Sequence, residues 1–156
     1  MQPASSPLPL SAKIFLICGA WLIGLGAYFI FVRPAFLPED PRYIGSSIES
    51  IRAVAPGLER WLGHVFRVLG GFMMATGAAT ILNAWHLLKR RERGTLPLMA
   101  MSGATGVALM SGTNFLLQSD FKWPLLRPAL LWLVGLVCYA REKARHAGTA
   151  ANADSA

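Results

Sequence analysis

An apolar stretch over residues 61–85, WLGHVFRVLGGFMMATGAATILNAW, constrains this chain more than any other feature. At about 1.5 Å per residue it is long enough to cross a hydrocarbon core of about 30 Å. It begins and ends on tryptophan, the residue that favours the two membrane–water interfaces. Its first turns nevertheless hold His64 and Arg67. A polar group at that depth must face protein, reach back to the interface or meet a partner.

Three further apolar runs occupy residues 14–32, 96–117 and 124–140. The 156 residues are 54% hydrophobic and only 15% charged, less charge than an ordinary soluble domain carries. The apolar residues are continuous rather than alternating, which excludes a β-barrel. The expected fold is all-α: one integral-membrane, antiparallel four-helix bundle over residues 13–140.

The segments between the runs set the orientation. Residues 1–12 are proline-rich and read as a disordered tail. Lys13 before the first run also suits a signal peptide, but the apolar core is too long and Arg33-Pro34 follows it, so a retained helix is expected. Between the first two runs, Arg33, Arg42, Arg52 and Arg60 are balanced by Glu39, Asp40, Glu49 and Glu59. Within that connection Ser46 with Glu49 reads as a helix start, and Pro56-Gly57 as its end. Ile48, Ile51 and Ala55 then share one face, giving a short amphipathic helix on the membrane surface. By contrast, residues 86–95 carry Lys89, Arg90, Arg91 and Arg93 against Glu92, and residues 141–156 carry Arg141, Lys143 and Arg145 before a disordered end. Basic loops stay in the cytoplasm, so both termini are expected there. The net charge of +7 is spent on this asymmetry, and no basic, aromatic-interleaved surface remains for nucleic acid.

Depth then brings polar residues together. Arg67 lies about 9 Å below Trp61. The ends of the third and fourth runs bring Asn114, Gln118, Asp120 and Arg127 near the same level, and the first brings Tyr28. His64, Arg67, Gly71, Met74 and Ala78 share one helical stripe, expected to face inward. Asp120 is the first candidate counter-ion for Arg67 and Glu59 the second. Two readings of this group stand side by side. One is an outward-open polar pocket for an anionic or lipid-headgroup ligand, bound by His64, Arg67, Asn114, Gln118, Asp120 and Arg127. The other is an Arg67 that snorkels to the interface or forms a structural pair with Asp120. His64 has no second histidine at its depth, since His86 lies at the far end of the run and His146 in the tail, so no metal or haem cofactor is expected.

Small residues dominate several faces. Gly70, Gly71, Ala75, Gly77 and Ala78, with Ser102, Gly103 and Gly106, suggest that the second and third runs touch or that one of them makes a homo-oligomer contact. Ala20, Gly24 and Ala27 invite a neighbour against the first run. Cys18 and Cys138 form no CxxC pair and read as small apolar residues. Met73, Met74, Met99, Met101 and Met110 do not line up as a copper path and read as gap fillers.

The residues Leu37-Pro38-Glu39-Asp40, Tyr43-Ile44-Gly45, His64, Arg67 and Gly70-Gly71 together resemble a family of small, uncharacterised four-span proteins of bacterial inner membranes. The likeness covers about a fifth of the chain; Val65 stands where that pattern often has an acidic residue. The resemblance implies class, topology and an inner-membrane location, and carries no activity with it. The residues favour a non-enzymatic accessory or assembly protein whose partners are the bilayer and another membrane protein or a second copy. The alternative is a small oligomeric transporter or channel with His64 and Arg67 lining its path. An intramembrane enzyme would have only His64 with Asp120 to work with.

Overall fold

The computed structural model describes residues 8–88, 92 and 94–153. Every regular element among them is helical: α1 (Leu10–Phe31), α2 (Asp40–Ile44), α3 (Ile48–Val54), α4 (Leu58–Asn83), α5 (Thr95–Ser102), α6 (Leu109–Leu116) and α7 (Lys122–Ala153). A π-helical turn, Ala84–Leu88, extends α4, and a second π segment, Gly103–Ala108, joins α5 to α6 without a break. Three helices are long and apolar enough to cross a membrane: Leu10–Phe31, Leu58–His86 and Lys122–His146. Only 33%, 17% and 22% of the residues in their most apolar windows are buried, so the chain leaves most of this greasy surface uncovered.

The hub is α1. It packs antiparallel against α4 on one side and α7 on the other, while α7 in turn packs against the 95–116 helix. Helix α4 meets that last helix chiefly at α5, beside the connection between them. The order α4, α1, α7, α5–α6 is therefore an open row. The second and third runs touch only near that connection; of the small α4 residues expected to serve the contact, Gly70 and Gly77 meet α1, while Gly71, Ala75 and Ala78 are exposed.

The α1–α4 seam shows why. A Cβ added at Gly26 would lie 2.5 Å from the Gly70 carbonyl oxygen, and one added at Gly77 would lie 2.6 Å from that of Gly19. Only hydrogen fits at these positions, and removing side chains lets two backbones approach to gain dispersion contacts. Ala20 and Gly24 are exposed, so the α1 residues expected to make the close approach are not the ones that do.

The apolar core gathers between the first half of α1 and the middle of α7, around Ala12, Phe15, Cys18, Leu22, Leu88, Met99, Val107, Trp132 and Tyr139. Phe15 meets Trp132 edge to face at 5.3 Å, and Gly135 leaves room for the Phe15 ring. The Trp132 indole lies against Gly103 and donates to the Met99 carbonyl at 2.9 Å, where the α5 backbone passes into its π segment. A side chain inserted at a helical ladder is one of the recognised causes of such a local rewinding.

At the same end, the first turn of α1 has no cap of its own: Pro9 offers no side-chain acceptor. Glu142 of α7 supplies it, accepting from the Ser11 amide at 3.2 Å and the Ser11 hydroxyl at 2.6 Å. A carboxylate there satisfies an otherwise orphaned N–H and meets the positive end of the helix dipole. The expectation of a tail beginning at residue 141 is corrected, because α7 runs on to Ala153. Of the expected disordered segment 1–12, residues 10–12 open α1, and residues 1–7, with the basic Lys89, Arg90, Arg91 and Arg93, lie outside the described residues.

Candidate functional site

At the opposite end, the 32–57 segment and the 117–121 turn form a polar cap over the helices. Arg33 follows α1 directly. Its guanidinium carbon sits 3.5 Å from the centre of the Phe66 ring and 5.2 Å from that of Phe29, while Nη1 donates to the Pro34 carbonyl at 2.9 Å. Flat cations stack well on aromatic faces, so Arg33 staples the end of α1 to the first turns of α4. Burial lowers its pKa, and the nearby Asp40 opposes that effect.

Helix α2 opens with Asp40-Pro41 and closes at Gly45, whose φ of 73° lies in the left-handed region that glycine adopts without a Cβ penalty. Helix α3 is capped by Ser47, whose hydroxyl accepts from the Ser50 amide at 3.1 Å. The cap is therefore one residue later than the expected Ser46. Ile48, Ile51 and Ala55 are the half-buried positions, as their spacing implies. Beyond α3, Arg52 holds Glu59 through two hydrogen bonds of 2.8 and 3.0 Å.

Glu39 ties this segment to the far side of the fold. One carboxylate oxygen accepts from the buried Ser119 hydroxyl at 2.7 Å and the other from the Asp120 amide at 2.9 Å. Ser119 passes the order inward by accepting from the Phe121 amide at 3.1 Å. Arg42 then pairs with Asp120 at 3.0 Å on the surface. Sequence spacing gives no hint of this clamp, because its halves are 80 residues apart. The only signal is that Glu39 and Ser119 each sit in short segments dense with turn-forming residues.

The six residues expected to share a pocket are distributed otherwise. Asp120 pairs with Arg42, and Glu59 with Arg52, so neither is the counter-ion of Arg67. His64 and Arg67 are both exposed on the flank of α4, with Nη1 of Arg67 3.4 Å from Nδ1 of His64. The buried α4 positions are Gly70, Gly77 and Thr80. Of the stripe expected to point inward, Met74 lies against Gly26 of α1, while His64, Arg67, Gly71 and Ala78 are exposed. The seam is centred on Gly70 and Gly77, which leaves Arg67 at its edge and His64 further round the helix. Asn114 donates back to the Met110 carbonyl of its own helix at 2.9 Å. Gln118 accepts from Lys122 at 3.0 Å. Its φ of 51° closes α6, with the Gln118 and Ser119 amides donating to the Phe115 and Asn114 carbonyls. Arg127 is exposed on α7. Tyr28 is partly exposed and packs edge to face on Phe29 at 6.0 Å.

Beside His64 lies a shallow depression of about 320 Å3, lined by His64, Val65, Val68, Leu69 and Phe72. Among the described residues, no group of three or more His, Cys, Asp and Glu could hold a metal ion.

No protein-family model, no curated protein and no solved structure matches the chain.

Proposed function

We propose that this chain is an integral protein of a bacterial inner membrane that crosses it four times, with both termini in the cytoplasm. It serves there as a non-enzymatic accessory or assembly partner for another membrane protein or a second copy. Three helices have the length and apolarity to cross. The fourth crossing is the continuous 95–116 helix, which is also long enough to span at about 1.5 Å per residue. The basic residues of segments 86–95 and 141–156 set the orientation.

The observation that carries the partner reading is the surface of that 95–116 helix. Ala104, Thr105, Gly106, Ala108, Gly112 and Thr113 are all exposed. Cβ atoms at Gly106 and Gly112 would meet nothing. Small residues give poor contact to lipid chains and good contact to another helix backbone. With α4 at the far edge of the row, this face is exposed among the described residues.

The test is native mass spectrometry and in-membrane cross-linking of the full chain carrying cysteine at Gly106 or Gly112. A defined oligomer or a reproducibly co-purifying membrane protein, cross-linked through these positions, is expected. A chain that stays monomeric and uncross-linked at both positions contradicts the reading. The transporter alternative rests on a different observation, the exposure of His64 and Arg67, which a neighbouring subunit would enclose. It requires anion flux that Arg67→Ala abolishes.

A further inference from the structure

We propose that the exposed flank of α4 is a binding site for an anionic phospholipid, with Arg67 and His64 holding the phosphate and the depression that opens beside His64 taking an acyl chain. The inference rests on α4 crossing the bilayer as described above.

The charge argument comes first. Arg67 sits about 9 Å along α4 from Trp61, inside the level where aromatic side chains mark the interface. It is exposed, at the edge of the α1 seam rather than within it. The two carboxylates that sequence spacing offered it are engaged elsewhere, Asp120 by Arg42 and Glu59 by Arg52. Its polar neighbour is His64, one turn towards the interface at 3.4 Å. Arg60, a further turn up the same stripe, is also exposed. A cation facing lipid is costly without an anion beside it. The anion present at this level of a bilayer is the lipid phosphate, which the planar guanidinium matches with two parallel N–H donors.

The shape argument is independent of charge. Directly inward of His64 runs the depression lined by Val65, Val68, Leu69 and Phe72, and its accessible wall is apolar. Phe72 lies about 7 Å deeper than Arg67 along the helix axis, in the acyl region. Next to this line Gly71 leaves open space, where a Cβ would meet nothing within 4 Å. A polar end above and an apolar trough below fit an amphiphile with its headgroup at the interface. They fit a free phosphate less well, because a free ion makes no use of the trough.

The experiment uses the full chain in nanodiscs of mixed phosphatidylglycerol and phosphatidylcholine, with retained lipid counted by native mass spectrometry after transfer to detergent. Wild type should retain phosphatidylglycerol about five-fold over phosphatidylcholine, the scale of one basic residue beside an anionic surface. Arg67→Gln should bring that ratio close to one, and Arg67→Lys should keep most of it. Phe72→Ala should reduce retention of both lipids. Arg42→Gln, which changes a cation already paired with Asp120, should leave the ratio alone. Equal ratios in wild type and Arg67→Gln would overturn the proposal. So would equal displacement of bound lipid by glycerol-1-phosphate, which would make the ligand a free phosphate. Carbonate extraction of native membranes separates these outcomes from failure of the membrane reading itself: a chain released by alkali removes the bilayer, whereas a retained chain with no lipid preference removes only the site.

Discussion

Gly70 and Gly71 are adjacent in sequence and opposite in consequence. An alanine methyl at Gly70 would fall 2.6 Å from the Gly26 carbonyl oxygen and 2.8 Å from an Ile30 side-chain carbon. The first is backbone, so relief requires moving α1 away from α4. At Gly71 a methyl would meet nothing within 4 Å. Overpacking of a tight interface costs about 1–3 kcal/mol, whereas glycine to alanine on an open helix face gains about 0.5–1 kcal/mol. Gly70→Ala should therefore lower the unfolding midpoint in detergent, and Gly71→Ala should leave it unchanged or raise it. A midpoint for Gly70→Ala at or above wild type would show that the α1–α4 seam is not close-packed. Arg33 illustrates the same dependence on setting. In the sequence it is one of four arginines in a charge-balanced connection, and only the approach of Phe66 from another helix makes it a staple.

Single elements hold their ends in two different ways. Helix α3 is capped locally. The Ser47 hydroxyl accepts from Ser50, and the Glu49 carboxylate is held below its usual pKa, first by its own backbone amide and then by the Ser47 side chain. A carboxyl with a depressed folded-state pKa stabilises most above the ordinary glutamate range. That stability is lost as pH falls through the lowered value. Helix α3 should thus fray in acid, later than an uncapped glutamate would allow. Carbon NMR titration of Glu49 should give a midpoint below that of a free glutamate, and Ser47→Ala should move it back up. An unchanged midpoint in Ser47→Ala would remove the hydroxyl from the account. Helix α1 is capped from a distance, by Glu142 on α7. The connection over residues 32–57 is likewise held by Glu39 reaching the Ser119 hydroxyl and the Asp120 amide. Neither partner is local, so no local signature announces them.

The whole molecule is a row of helices hung on α1, and its two ends are tied by different chemistry. One end is a polar cap organised by Glu39. The other is an apolar core sealed by the Ser11–Glu142 contact, in which Ser11 is fully buried. Glu142→Ala would leave a buried hydroxyl and a helix N-terminal amide short of an acceptor, at a cost of about 1–3 kcal/mol. The variant should unfold several degrees earlier in detergent, and Glu142→Gln, which keeps one acceptor, should fall between. Equal midpoints for all three would mean that α7 is not anchored to α1 by this contact.

The chain's own order of residues was enough for its class. Long unbroken apolar runs leave helices as the only regular structure able to satisfy their backbone in lipid. The long helices and the short amphipathic helix were legible for that reason, whereas the start of α1 at Leu10 and the continuation of α7 to Ala153 were not. Which face of each helix meets which neighbour was not. In a run that is apolar all round, no amphipathic stripe points to the protein side, and the seam is chosen by where two backbones can approach. That choice belongs to Gly19, Gly26, Gly70 and Gly77 acting in pairs. Once they close on one another, the tertiary structure leaves Arg67 at the edge of the seam and His64 exposed beside it, and gives Asp120 to Arg42, because the residues that meet a neighbour are chosen by the closest backbone approach.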